Sequence, residues 1–236
     1  MEAQEQDFDL AIVGTGAAGI AAVHGALAAG SKRLLWLGHG PGATGLGAGW
    51  FTPVQDETER KTLAQNLCFT RAGLRPLGSY RFASLVGTVE PALSGLHSVL
   101  DLSALGPEDS LGVLELQAGA TWSANYIAQS LREFLPCKVT VVRPGEAAPS
   151  GENSLELARK LDSSGLCEAL VGSLKDRLAG SKALLCPPVL GLKRLDVAAE
   201  LSKHLGIPVG ETGGGVGDAL GLPGRARGVE HEEVIL

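Results

Sequence analysis

The sequence predicts a three-layer α/β fold, and three observations predict it. Short β-rich apolar runs alternate with longer helix-forming stretches along most of the chain, the order that places helices on both faces of a parallel sheet. The first apolar run leads directly into a glycine-rich turn, an Ala/Leu-rich stretch and a second run, within the ~30 residues that a βαβ unit needs. The composition agrees, with 44% hydrophobic and 19% charged residues, enough apolar material for a core. Aromatics are only 4% against 33 glycines, so that core rests on Ala, Leu and Val with many close backbone approaches.

Taken in order, residues 8–13 (FDLAIV) read as a buried parallel strand that stops at Gly14. Residues 17–29 are dominated by strong helix formers, and Gly30 ends them as a C-terminal glycine does. Residues 33–37 (RLLWL) supply the second strand. Six glycines and two prolines over 38–53 predict a loop. A helix is expected over 56–79, with acids near its start and Arg71 near its end to match the macrodipole. Short strands and turns should fill 80–103, a strand 111–116, and a helix 121–135 beginning at a Thr or Ser cap. The run KVTVVRP predicts a strand over 138–144, followed by helices over 153–163 and 165–179, the first capped by Asn153 or Ser154. A strand and turn at 183–192, a helix at 195–205 ending on Gly206, and a short strand at 207–209 complete the pattern. The last residues resemble a tail or a strand awaiting a partner.

The segment Gly14-Thr15-Gly16-Ala17-Ala18-Gly19 carries G-x-G-x-x-G after a predicted strand and at the mouth of a predicted helix. In that context the first glycine permits the tight turn, the second lets backbone approach a pyrophosphate, and the third lets the helix pack on the sheet. Free N–H groups at the helix start then receive the anion. The fold is accordingly read as a Rossmann-like FAD/NAD(P)-binding unit with an inserted α/β portion. Residues 1–79 form the N-terminal part of the dinucleotide-binding domain, 80–222 the inserted or appended portion, and 223–236 a tail.

Such units usually end their second strand on an Asp or Glu that holds the adenosine ribose. Here the chain reads Trp36-Leu37-Gly38-His39-Gly40, without an acid, which leaves the ribose to backbone groups at Gly38 or to His39 and disfavours NAD. The glycine-rich stretch Thr44-Gly45-Leu46-Gly47-Ala48 follows, where flavin enzymes commonly run such a segment past the pyrophosphate and ribityl chain, and this favours FAD. No catalytic constellation is legible, because His24, His39, His97, His204 and His231 stand apart. With a flavin that is no objection to an oxidoreductase, since the ring does the redox work.

The net charge of −6 comes with scattered basic residues, which gives no footprint for nucleic acid. The N-terminus lacks the pattern of a signal peptide, and no stretch approaches the ~20 apolar residues that span a bilayer, so a cytoplasmic protein is expected. Cys68, Cys137, Cys167 and Cys186 show no C-x-x-C spacing and read as reduced, buried thiols, without a metal site.

The stretches FDLAIVGTGAAGIAAVHGALAAG, GATGLGAGWFTP, TWSANYIAQSLREF and the block ELARKLDSSGLCEALVGSLKDRLAGSKALLCPPVLGL resemble, in order, the B-type subunit family of the anaerobic glycerol-3-phosphate dehydrogenase, a flavoprotein family. The likeness implies an FAD-linked oxidoreductase subunit that works with other subunits to pass electrons from glycerol 3-phosphate toward the membrane quinone pool, touching the membrane only through a partner. It puts the FAD pyrophosphate on residues 14–19, with Thr44 to Ala48 alongside. Family members continue well past the point that corresponds to Leu222, into a segment that closes the flavin site. The expectation is therefore that FAD is held incompletely, is completed by another chain, or is not held. The rival readings are a non-catalytic or scaffolding subunit that retains the βαβ unit, and an ordinary NAD-binding dehydrogenase.

Overall fold

The computed structural model describes residues 7–14, 17–37, 49–52, 58, 74–117, 122–146, 148–178, 180–191, 193–194, 196–213 and 234–235. The chain is a mixed α/β protein with parallel sheets.

The first unit is β1 (Leu10–Val13), α1 (Ala17–Ala28) and β2 (Leu34–Leu37). β1 and β2 run parallel, with Leu10 opposite Leu34 and Ile12 opposite Trp36. Side chains alternate across a strand, so Ile12, Leu34 and Trp36 share the face that meets Val23 and Ala26 of α1. The lower end is tied by Asp9, whose Oδ2 accepts from the Arg33 N–H at 3.0 Å. The C-terminal β11 (Val234–Ile235) pairs antiparallel with β2, so the expected strand in search of a partner finds one there.

A set of short antiparallel strands follows. β3 (Trp50–Phe51) pairs with β6 (Ser94–Gly95), and β4 (Tyr80–Ala83) pairs with β5 (Val89–Ala92). Trp50, Tyr80 and Phe82 pack ring against ring beneath them. This corrects two expectations. Trp50 and Phe51, placed in a loop, are a strand, and the helix over 56–79 does not reach its expected end. Thr58 is helical, but Leu74 bridges to Leu96 and the Arg75 N–H donates to the Gly95 carbonyl. Pro76 and Gly78 explain this, since proline removes a helical donor and clashes with the preceding turn.

The largest body is a four-stranded parallel sheet in the order β10-β9-β7-β8. Its chain order is β7 (Ser110–Leu114), α2 (Ala124–Phe134), β8 (Lys138–Val142), α3 (Ser154–Leu161), α4 (Ser164–Leu174), β9 (Ala183–Cys186), α5 (Val197–Leu205) and β10 (Val209–Glu211). Helix starts follow the expected caps: the Ser123 side chain accepts from the Tyr126 N–H and Asn153 from the Glu156 N–H. Gly206 closes α5 at φ 72°, a left-handed turn suited to glycine. The last strand starts two residues later than expected because Pro208 has no N–H to give the ladder.

Alternation along these strands splits the core into two faces. Leu111, Val113 and Leu185 meet Ile127, Ala128 and Leu131 of α2, while Leu114, Leu184 and Cys186 meet Leu157, Leu170, Leu174 and Leu201 of α3, α4 and α5. Three layers result. Cys137, Cys167 and Cys186 are buried free thiols, as expected; Cys68 lies outside the described residues.

Candidate functional site

β1 ends at Val13, and the chain turns at Gly14 with φ 124°, a conformation that disfavours any residue with a Cβ. The Gly14 N–H donates to the Leu37 carbonyl at 2.7 Å, which carries the β1–β2 ladder one residue past the strand. Its carbonyl accepts from the Trp36 indole Nε1–H, also at 2.7 Å. Three residues on, α1 begins at Ala17, and Gly19 lies in its first turn. A Cβ built on Gly19 would stand 1.9 Å from the Gly14 oxygen, so only glycine lets the helix come this close to the turn. No acidic residue occupies the first turn of α1, which leaves that turn without a negative charge of its own.

Of the sequence-predicted binding residues, Gly14, Ala17, Ala18 and Gly19 are thus brought together between the end of β1 and the start of α1. Thr15, Gly16, Gly38, His39, Thr44, Gly45, Leu46, Gly47 and Ala48 lie outside the described residues. Trp36 is the residue the sequence reading missed. It read only as part of an apolar strand, and its one signal was parity with Leu34, which puts the indole on the helix-facing side.

The four-stranded sheet has the other feature that receives ligands in α/β proteins, a point where strand order reverses, between β7 and β9. Here the strand ends are filled from within. The Trp122 indole packs against the buried clusters on both faces and donates to the Leu114 carbonyl at 2.9 Å. Residues 187–191, which follow β9, are buried. Glu211 at the end of β10 is only 1% exposed, and its carboxylate accepts from the Leu190 N–H at 2.5 Å, binding that loop to the sheet. Burial pushes the neighbouring Cys186 thiol well above its usual range, and the Glu211 charge adds to this. Such a thiol is a packing group rather than a nucleophile.

His24, His97 and His204 are exposed and far apart in the chain. Among the described residues no group of three or more His, Cys, Asp or Glu is placed to hold a metal ion, and no helix is long and apolar enough to cross a membrane. No protein-family model, curated protein or solved structure matches the chain.

Proposed function

We propose that the chain is an FAD-dependent oxidoreductase subunit of the glycerol-3-phosphate dehydrogenase B type, with a Rossmann-like first unit whose glycine turn holds the cofactor pyrophosphate. The observation that carries this reading is the pairing of Gly14 and Gly19, where the left-handed turn and the missing Cβ let the N-terminus of α1 face the end of β1. The residues present fit the group. Gly14, Ala17, Ala18 and Gly19 set the turn, and the sequence adds Thr15 and Gly16 to it, with the ribose assigned to Gly38 or His39 and the ribityl chain to the stretch Thr44 to Ala48.

The flavin, when bound, supplies the electron-accepting ring. The chain's own contribution is to bind the phosphates through backbone N–H groups, to orient the dinucleotide along the strand ends, and to leave the ring toward partner subunits. Glycerol 3-phosphate is the first donor to try and a quinone the acceptor, with the membrane reached through a partner.

A specific observation favours the scaffolding reading as the second. Parallel strands are normally covered on both faces. On the β1–β2 face opposite α1, however, Ala11, Val13 and Leu37 are exposed and Leu35 is half-buried, with Val13 at 80%. A unit kept for assembly would show such a face.

The deciding experiment is a visible absorption spectrum of the purified protein, with mass spectrometry of any small molecule released on denaturation. Flavin bands and released FAD are expected, and Gly16→Val should remove them by filling the space of the pyrophosphate. A colourless protein that also takes up no added FAD would overturn the reading in favour of a scaffolding role. Uptake of a nicotinamide dinucleotide without flavin would turn it toward an NAD-binding dehydrogenase.

A further inference from the structure

We propose that Trp36 is a positioning residue for the dinucleotide turn, acting through the Gly14 carbonyl; this rests on the reading of that turn as a pyrophosphate site. Both polar groups of Gly14 are held by consecutive residues of β2, the N–H by the Leu37 carbonyl and the carbonyl by the Trp36 indole, each at 2.7 Å. The indole is itself fixed. It is half-buried on the α1 face of the sheet, against the cluster of Ile12, Val23 and Leu34.

The Gly14 oxygen therefore sits between the indole and Gly19, the same oxygen a Gly19 side chain would strike. A peptide unit is planar and trans, so anchoring its carbonyl fixes the direction of its opposite edge. The first peptide of the turn thus has its acceptor turned onto β2 and α1. Without the indole, the carbonyl loses its partner, and the plane is free to rotate a hydrogen-bond acceptor toward the phosphates, where it would repel them. The ligand class this serves is a diphosphate ester of a nucleoside, and the minimal probe is ADP.

The test uses the full chain with its indoles labelled with nitrogen-15. The sequence has three tryptophans, so three indole resonances report separately. ADP at saturation should shift the Trp36 resonance and leave those of Trp50 and Trp122 in place. Trp36→Phe, which keeps an aromatic ring and loses the donor, should bind ADP about fivefold more weakly, the loss of one neutral hydrogen bond. The Trp122 resonance should report an unchanged second sheet in that variant. Wild-type binding with an unmoved Trp36 resonance, or with equal affinity in Trp36→Phe, overturns this role alone. No ADP binding by the wild-type protein overturns the dinucleotide reading and this role with it. Should Trp36→Phe fail to fold, the wild-type resonance decides.

Discussion

The first βαβ unit and the β7-α2-β8 unit are built on one plan and finished in opposite ways. In each a parallel pair of strands flanks a helix, and in each a tryptophan indole donates to a main-chain carbonyl where the first strand ends, Trp36 to Gly14 and Trp122 to Leu114. In the first unit the helix starts three residues beyond Gly14, its approach made possible by Gly19, so the strand end faces a helix N-terminus. In the second, residues 115–123 separate Leu114 from Ala124, and Trp122 returns from that connection onto the strand end, touching the cores of both faces. The same local grammar thus makes a close turn-to-helix approach where the connection is short and glycine-rich, and a core where it is long enough to bring an aromatic ring back. Coverage follows suit: the second sheet is packed on both faces, the first on one.

The largest effect that would test this contrast is on stability. Leu184, fully buried at the centre of the four-stranded sheet, should cost about 3 kcal/mol when replaced by Ala, read as the midpoint of urea unfolding. Leu34 is equally buried, but among the described residues its cluster has only Ile12 and Val23 as other buried members, so Leu34→Ala should leave that midpoint nearly in place and instead speed hydrogen exchange in β1 and β2. Equal shifts from both variants would mean that the two sheets unfold as one.

Next in size is a loss of stability in alkali that belongs to the second sheet. Burial pushes Cys167 up to about 11, with Glu200 as the next cause, and burial raises Cys186 well above its ordinary 9.0. Both folded values lie above the unfolded ones, so their contribution is complete below pH 9.0 and is lost as pH rises, for Cys167 through about 11. Cys167→Ala should flatten part of that slope in a series of unfolding curves. An unchanged slope would assign the loss to other groups. Smaller again, Trp122→Phe should cost about 1 kcal/mol through the unpaired Leu114 carbonyl, without changing ADP affinity. Weakened ADP binding in that variant would erase the distinction between the two tryptophans.

The order of elements in both units was legible because each rests on short-range signals: Ser123 and Asn153 as caps, Gly206 as a left-handed stop, and alternation or apolar runs in the strands. Gly14 and Gly19 were legible for the same reason, as spacing inside one turn. What escaped was long-range. Leu74 and Trp50 find partners in Leu96 and Gly95, more than 20 residues away, and nothing local in an apolar residue announces such pairing. Trp36 escaped likewise, since its indole reaches a carbonyl 22 residues back in the chain. Helix propensity carried the helix expected over 56–79 past Pro76, where the tertiary pairing and the missing donor prevail.

The smallest effect concerns the other end of the first unit. Asp9 sits at the foot of β1 and accepts from the Arg33 N–H at 3.0 Å and the Lys32 N–H at 3.4 Å. These hydrogen bonds, that from Arg33 first, hold its carboxyl below its ordinary 3.8. A depressed folded value means that the tie is present above pH 3.8 and is lost as pH falls through the lower value. The group is exposed, so the global midpoint should not move. Exchange at Leu34–Leu37, corrected for its intrinsic pH dependence, should quicken as Asp9 protonates, while β7 and β9 stay protected. Asp9→Asn should exchange faster at neutral pH and lose this acid step. If β7 and β9 loosen over the same interval, the foot of β1 is tied into the larger sheet, and the first unit has no independent opening for a ligand to oppose.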